Sequence, residues 1–223
     1  MTVRREGTYV WVTWLAKLMA GETDCGWAPW FKANHTEWVK AASDFQLAQW
    51  QAEHTQGLLE LARELQSAGQ TIYREAQNAF KYTTRRGLVV AGKPDLVAID
   101  GADNATVYDV KTGEQRTSHL IQTMLYMTCL PFASIDRYRG IKLDGCVVYT
   151  SGERVPIPRT AIDAEFKKNV SYFVDLLHAE SPPKRVPSEP ECRYCDITAA
   201  DCPDRIEPDL GKLVVFPIRR SSP

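Results

Sequence analysis

Residues 92–112 read GKPDLVAIDGADNATVYDVKT, and the fold turns on how this stretch pairs with itself. Residues 96–100 and 106–110 are short apolar runs, and the turn-forming residues 101–104 between them predict two neighbouring strands. Successive side chains of a strand point to opposite faces, so Asp109 and Lys111, two apart, share one face. Asp95 opens the first of the two strands. The turn brings Asp95 and Asp109 together, with Lys111 beside them.

Working outward from this pair, residues 71–83 and 87–91 also read as strands, punctuated by 85–87 and 92–94. Upstream, residues 35–67 carry a long helical pattern. Leu47, Trp50, His54, Leu58, Leu61 and Leu65 form one stripe at steps of three and four, and Gly69 stands just past the end. Residues 8–20 read as a short helix, with Trp11, Trp14, Leu15 and Leu18 at helical spacing. Residues 21–33, rich in Gly, Pro and Trp, read as a loop. Downstream, residues 115–130 return to helix and Pro131 stops them. Residues 146–150 and 154–157 read as a hairpin around Ser151 and Gly152, and 161–179 as another helix. Residues 181–190 are a proline-rich linker or extended wrap. An apolar run at 213–218 closes the chain. The order of elements argues for a mixed α/β sheet flanked by helices, without an internal repeat.

The chain has 223 residues, 44% apolar and 25% charged, which suits one large domain or one domain with a small appendage. The net charge of −1, from 27 basic and 28 acidic residues, gives no whole-chain sign of a nucleic-acid partner. An acidic metal site offsets a basic groove in that sum. The basic pairs Arg85–Arg86, Lys167–Lys168, Lys184–Arg185 and Arg219–Arg220 read as solvated surface or as phosphate contacts. Thr13 and Lys17 interrupt the apolar stretch after Arg4–Arg5, unlike a signal peptide. No stretch approaches the length of a membrane span. The chain reads as cytoplasmic, with no membrane partner.

Two converging carboxylates hold a hard divalent cation through oxygen, typically Mg2+ or Mn2+. Such a cation polarises a phosphate and lowers the pKa of a bound water. A lysine ammonium alongside orients that water and stabilises growing negative charge. The bland alternative is two surface aspartates and a snorkelling lysine. His54 interrupts an apolar stripe and therefore points inward, as a satisfied core histidine or as a metal ligand.

With Pro94–Asp95 and Asp109-Val110-Lys111 as its motif, the sequence resembles the PD-(D/E)xK nuclease superfamily. More narrowly, it resembles the RecB-like exonucleases. These carry a histidine on an upstream helix and a Gln-x-x-x-Tyr motif on the helix after the lysine, filled here by Gln122-Thr-Met-Leu-Tyr126. Gln122 and Tyr126 are four apart and share a helix face. The resemblance implies a restriction-endonuclease-like core and metal-dependent hydrolysis of DNA, on single strands or ends and with 5′→3′ polarity. It implies that His54, Asp95, Asp109 and the main-chain carbonyl of Val110 hold the metal. Lys111 then positions the water, and Gln122 and Tyr126 support the site and the DNA. Glu75 matches an acidic family position more loosely, and an exposed strand glutamate is the alternative. Asp109 stands where Glu is commoner, which implies a shifted metal preference.

The six cysteines are Cys25, Cys129, Cys146, Cys192, Cys195 and Cys202. Three of them fall within the eleven residues 192–202, which asks for a metal or cluster. Cys25, in a loop ahead of the long helix, is the best candidate for a fourth thiolate. Cys129 and Cys146 have the setting of buried structural thiols. One upstream cysteine and a C-terminal trio look like the iron–sulfur branch of the RecB-like nucleases, which includes the CRISPR-associated Cas-four family and its phage relatives. That resemblance implies a [4Fe–4S] cluster on Cys25, Cys192, Cys195 and Cys202. The chemistry of four thiolates also admits Zn2+. The resemblance implies a single nuclease domain over 1–223, with a core at 34–180 and an iron–sulfur lobe from 21–33 and 184–223. DNA is the implied partner, with a second copy of the chain or a recombination or CRISPR protein as a further one.

Two other readings stand beside this one. His35-Thr-Glu37 with Cys192-x-x-Cys195 resembles a zinc deaminase pattern, but the halves lie far apart and Glu191 replaces the expected proline. A nuclease fold that holds DNA or a partner without cutting is the second. Trp27, Trp30 and Tyr194 are aromatic residues that either stack on bases or pack.

Overall fold

The computed structural model describes residues 2–42, 46–101 and 103–207; residues 213–218 and 219–220 lie outside the described residues. In chain order, β1 (Val3–Arg4) and β2 (Tyr9–Trp11) precede α1 (Val12–Met19), α2 (Trp27–Asn34) and β3 (His35–Thr36). Next come α3 (Leu47–Ser67), β4 (Thr71–Arg74), β5 (Phe80–Thr83), β6 (Val89–Gly92), β7 (Leu96–Asp100) and β8 (Asn104–Lys111). The described chain ends with α4 (Thr117–Cys129), β9 (Lys142–Tyr149), β10 (Arg154–Ile157), α5 (Ala164–His178) and α6 (Glu189–Arg193).

The larger sheet has the order β10-β9-β8-β7-β4, and a smaller one the order β2-β6-β5. β8 and β9 are parallel, and the other pairs of the larger sheet are antiparallel. The parallel pair needs a crossover, which α4 supplies. The sheet is therefore mixed and flanked by helices, as the order of elements predicts.

Alternation along β8 divides the protein into layers. Val110 joins Leu96, Ala98, Cys146 and Val148 beneath Leu58, Leu61 and Leu65 of α3. Ala105 and Val107 instead join the core that holds Leu125 and Met127 of α4. Each leucine buried this way contributes about 1.5–3 kcal/mol. Glycine permits the close approach on both faces. A Cβ on Gly57 of α3 would stand 3.0 Å from Thr150 and 3.3 Å from Val110. A Cβ on Gly145 of β9 would meet Met127 and Thr123 of α4 at 2.7 Å.

Several expected elements are redrawn. Tyr9–Trp11 is a strand, because it pairs in parallel with β6 before α1 begins. Residues 21–33 are not all loop: α2 starts at Trp27, with Pro29 in its first turn, where a missing N–H breaks no helical bond. The long helix starts at Leu47 rather than 35, since His35–Thr36 pairs with β1. Residues 71–83 break in two at Glu75, whose φ is 31°. β4 then joins the larger sheet and β5 the smaller. Fully buried Asn78 secures that break by donating to the carbonyls of Tyr73 and Pro94.

Candidate active site

The rim where β7 begins and β8 ends gathers the polar residues. Leu96 pairs with Tyr108, so the next rung of the antiparallel ladder sets Asp95 opposite Asp109. Asp95 Oδ2 accepts the Val110 backbone N–H at 2.8 Å, and His54 Nε2 lies 3.2 Å from the same oxygen. His54 reaches this point because Gly57, one turn later, lets α3 press against β8. Asp109 is 1% exposed, and Lys111 Nζ lies 2.6 Å from its Oδ2. The Lys111 ammonium is thus the partner of this buried oxygen. Gln122 of α4 donates Nε2 to Asp109 Oδ1 and to the Tyr126 hydroxyl, each at 3.1 Å. Tyr126 fits against Phe80 because residue 92 is glycine: a Cβ there would stand 2.7 Å from both rings.

The electrostatics follow from burial and from these pairs. Burial pushes the Asp109 carboxyl up to about 6, against the pull of Lys111. Burial disfavours the Lys111 ammonium too, but the carboxylates of Asp109 and Asp95 outweigh it and hold Lys111 above the ordinary lysine range. The hydrogen bond to Asp95 raises His54 despite its partial burial. Burial raises Tyr126 well above the usual phenol range, so its hydroxyl stays protonated.

His54, Asp95, Asp109, Val110, Lys111, Gln122 and Tyr126 all border one open cleft of about 890 Å³. Glu75 borders it too, on a short 3-10 turn (Glu75–Asn78) rather than a strand, with Lys93 Nζ 3.3 Å away. Sequence reasoning missed Trp11, Trp50, Lys17, Arg116 and His119, which line the same cleft. Burial, then the charge of Lys111, drives the His119 pKa down to about 4, and its Nδ1 lies 3.2 Å from the Tyr149 hydroxyl. The one available signal for His119 was its place a turn ahead of Gln122 on α4.

The donor set suits a hard divalent cation: two carboxylates and an imidazole. Among the described residues, however, no three or more His, Cys, Asp or Glu side chains are arranged around a single ion. His54 pairs with Asp95 and Lys111 with Asp109 instead.

A second cavity, of about 380 Å³, lies in the part of the protein built from α2 and the C-terminal segment. Cys25, Cys192, Cys195 and Cys202 all line it. The Ile206 N–H donates to Cys192 Sγ at 3.4 Å. Burial raises the thiols of Cys195 and Cys202. Cys129 and Cys146 lie elsewhere, both buried, and burial pushes Cys129 up to about 12. His35 stacks on Phe31, with Nδ1 3.0 Å from the Phe31 carbonyl, and neither His35 nor Glu37 lines the cysteine cavity. The deaminase pattern therefore has no site. Trp27 and Trp30 are core residues, at 5% and 6% exposure, whereas Tyr194 is exposed.

A mixed sheet that carries an acid, an opposed acid-x-lysine and a Gln-x-x-x-Tyr helix at one rim defines a class of protein. The family model of the PD-(D/E)XK nuclease superfamily matches residues 8–202, and the chain belongs to that superfamily. Its members generally use Mg2+ or Mn2+. An alkaline exonuclease from Laribacter hongkongensis is structurally similar at 14% identity and a TM-score of 0.45, over 77% of this chain and 89% of that one. A protein designated SSO0001 is similar at 16% identity and a TM-score of 0.45, over 91% and 89%. No curated protein matches the sequence. No helix among the described residues is long and apolar enough to cross a membrane.

Proposed function

We propose that this protein is a metal-dependent DNA exonuclease acting on single strands or on DNA ends, with 5′→3′ polarity. The observation that carries the reading is the convergence of Asp95, Asp109, Lys111, His54 and Gln122 on one cleft, with the Lys111 ammonium against a buried Asp109 oxygen. Asp95, Asp109, His54 and the Val110 carbonyl would hold Mn2+ or Mg2+. When bound, that cation supplies Lewis-acid polarisation of the phosphate and acidifies a water. Lys111, held protonated by Asp109 and Asp95, orients the attacking water and neutralises charge growing on the phosphate oxygens. Gln122 fixes the Asp109 carboxylate, and Tyr126 fixes Gln122.

Cys25, Cys192, Cys195 and Cys202 hold a [4Fe–4S] cluster in this reading, forming a lobe from residues 21–33 and 184–223 around a core at 34–180. The four cysteines line one cavity, and Cys192 Sγ accepts a backbone N–H. Four thiolates suit Zn2+ as well, and the resemblance to the iron–sulfur branch of the RecB-like nucleases favours the cluster. The cluster's role is structural, tying the two ends of the chain together. The test is digestion of end-labelled single-stranded and duplex DNA by anaerobically purified protein, with Mn2+, Mg2+ or EDTA. Metal-dependent, end-directed cutting supports the reading. A well-folded protein that binds DNA and cuts nothing would leave a non-catalytic binding module.

A further inference from the structure

The six tryptophans of the chain divide by place. Trp27 and Trp30 are core, and Trp14 and Trp38 are half-buried. Trp11 and Trp50 stand 39% and 38% exposed, and both line the cleft that holds Asp95, Asp109 and Lys111. Leaving more than a third of a tryptophan exposed forgoes part of the stabilisation that burial gives. Two such rings on one cleft, and none of the other four there, mark a binding surface. They come from different walls. Trp11 ends β2 of the smaller sheet, whereas Trp50 stands one turn before His54 on the half of α3 that runs beyond the leucines on the larger sheet. Each ring has an aromatic neighbour that orients it: Tyr9 edge-on to Trp11, and His54 stacked on Trp50 at 5.1 Å.

Lys17, Lys93 and Arg116 line the same cleft. Exposed rings together with nearby cations match what an unpaired strand needs. Its phosphates take the cations, and its bases, free of a complementary strand, offer faces for stacking. A duplex buries those faces in its stack and offers phosphates and base edges instead. We propose that Trp11 and Trp50 stack on unpaired bases and give the cleft its preference for single-stranded over duplex DNA. This rests on the nuclease reading and deepens it.

The test is a cycle between indole and base. Fluorescence anisotropy in EDTA measures binding of labelled oligo-dT, the same oligomer with a central abasic run, and a duplex of equal length. The proteins are wild type, Trp11→Ala and Trp50→Ala, with Trp11→Phe and Trp50→Phe as conservative variants. The account expects the abasic run to weaken wild-type binding roughly 10- to 100-fold. Each alanine variant loses affinity for oligo-dT and little for the abasic oligomer, and phenylalanine restores most of the loss. Equal weakening on both oligomers, or wild-type protein indifferent to the missing bases, overturns the proposal, and the latter does so even if a variant does not fold. Cutting with Mn2+ on the same samples separates the two levels. Cutting without indole–base coupling sinks the stacking proposal alone, whereas absence of both binding and cutting sinks the nuclease reading with it.

Discussion

The acidic cleft and the cysteine cavity are built in opposite ways. Most of the cleft comes from one continuous stretch, β7 through α4, whose strand register and helix spacing place Asp95, Asp109, Lys111, Gln122 and Tyr126 with few degrees of freedom. His54 and Trp50 of α3, and Trp11, Lys17 and Glu22 from the N-terminal segment, arrive from farther off. The cavity instead joins Cys25 to residues 192–202, close to the two ends of the described chain. Glu191 carries part of that closure, accepting from the Thr23 hydroxyl at 2.8 Å and the Asp24 N–H at 2.7 Å. The two regions share a wall: Thr13, Lys17 and Glu22 line both. Glu22 also accepts the Ser118 N–H at 3.2 Å, at the start of the helix that carries Gln122. A site made from local spacing fails through chemistry, and one made by closing a long loop fails through stability.

The predictions separate these two modes of failure. The largest effect belongs to Asp109→Ala, which should cut DNA hydrolysis by well over the roughly 100-fold that a supporting residue commands. Its visible absorption should match wild type; a lost cluster in this variant would merge the two regions into one unit. Cys25→Ala should act the other way. A cluster tying residue 25 to residues 192–202 would close a loop of about 170 residues, worth on the order of a few kcal/mol in the loop-closure model. Thermal melting should show that loss and the spectrum a depleted cluster, with the rate per folded molecule little changed. Full cluster occupancy and normal melting would remove Cys25 from the set.

The third effect is one of pH. Burial lifts the Asp109 carboxyl from an ordinary 3.8 to about 6, so the folded state holds this proton more tightly than the unfolded chain does. Without metal, stability therefore falls as pH rises through that window, by about 3 kcal/mol. His54 has the same sign: its raised value stabilises the fold below 6.5, and that contribution is lost as pH rises through the folded value. In the proposed function metal would bind both groups deprotonated. The rise in Tm on adding Mn2+ should therefore grow between about pH 5 and about pH 8, and a flat dependence would remove these groups from the metal site. Smallest is Gln122→Ala, which frees the Asp109 carboxylate to turn. Activity should fall about 10- to 100-fold, most of it recovered by raising Mn2+ if the loss is in metal affinity.

The same contrast explains what could be read from the sequence. β7, β8 and the β9–β10 hairpin were legible, because alternation and turn residues are local signals. The pairing of Asp95 with Asp109 followed from them. His54 needed the family pattern, since a lone histidine in an apolar stripe has a core reading as good. The strand at Tyr9–Trp11 was not legible, because its parallel partner β6 lies some eighty residues away. That error also hid Trp11, which spacing placed on a helix. Trp50 was read into the apolar stripe of α3, but only Leu58, Leu61 and Leu65 of that stripe lie buried against the sheet. The break at Glu75 has no sequence marker beyond Asn78, whose role depends on carbonyls from two separate segments.

In the proposed function Lys111 belongs to a hydrolytic centre distinct from the cysteine cavity, although the two share a wall. The direct measurement is end-labelled single-stranded DNA digestion with Mn2+ by Lys111→Ala and wild-type protein, each purified anaerobically, with the visible spectrum recorded on the same samples. The account predicts that the variant keeps its absorption and melting temperature and loses cutting by on the order of 100-fold or more. Cutting by Lys111→Ala at the wild-type rate would contradict it.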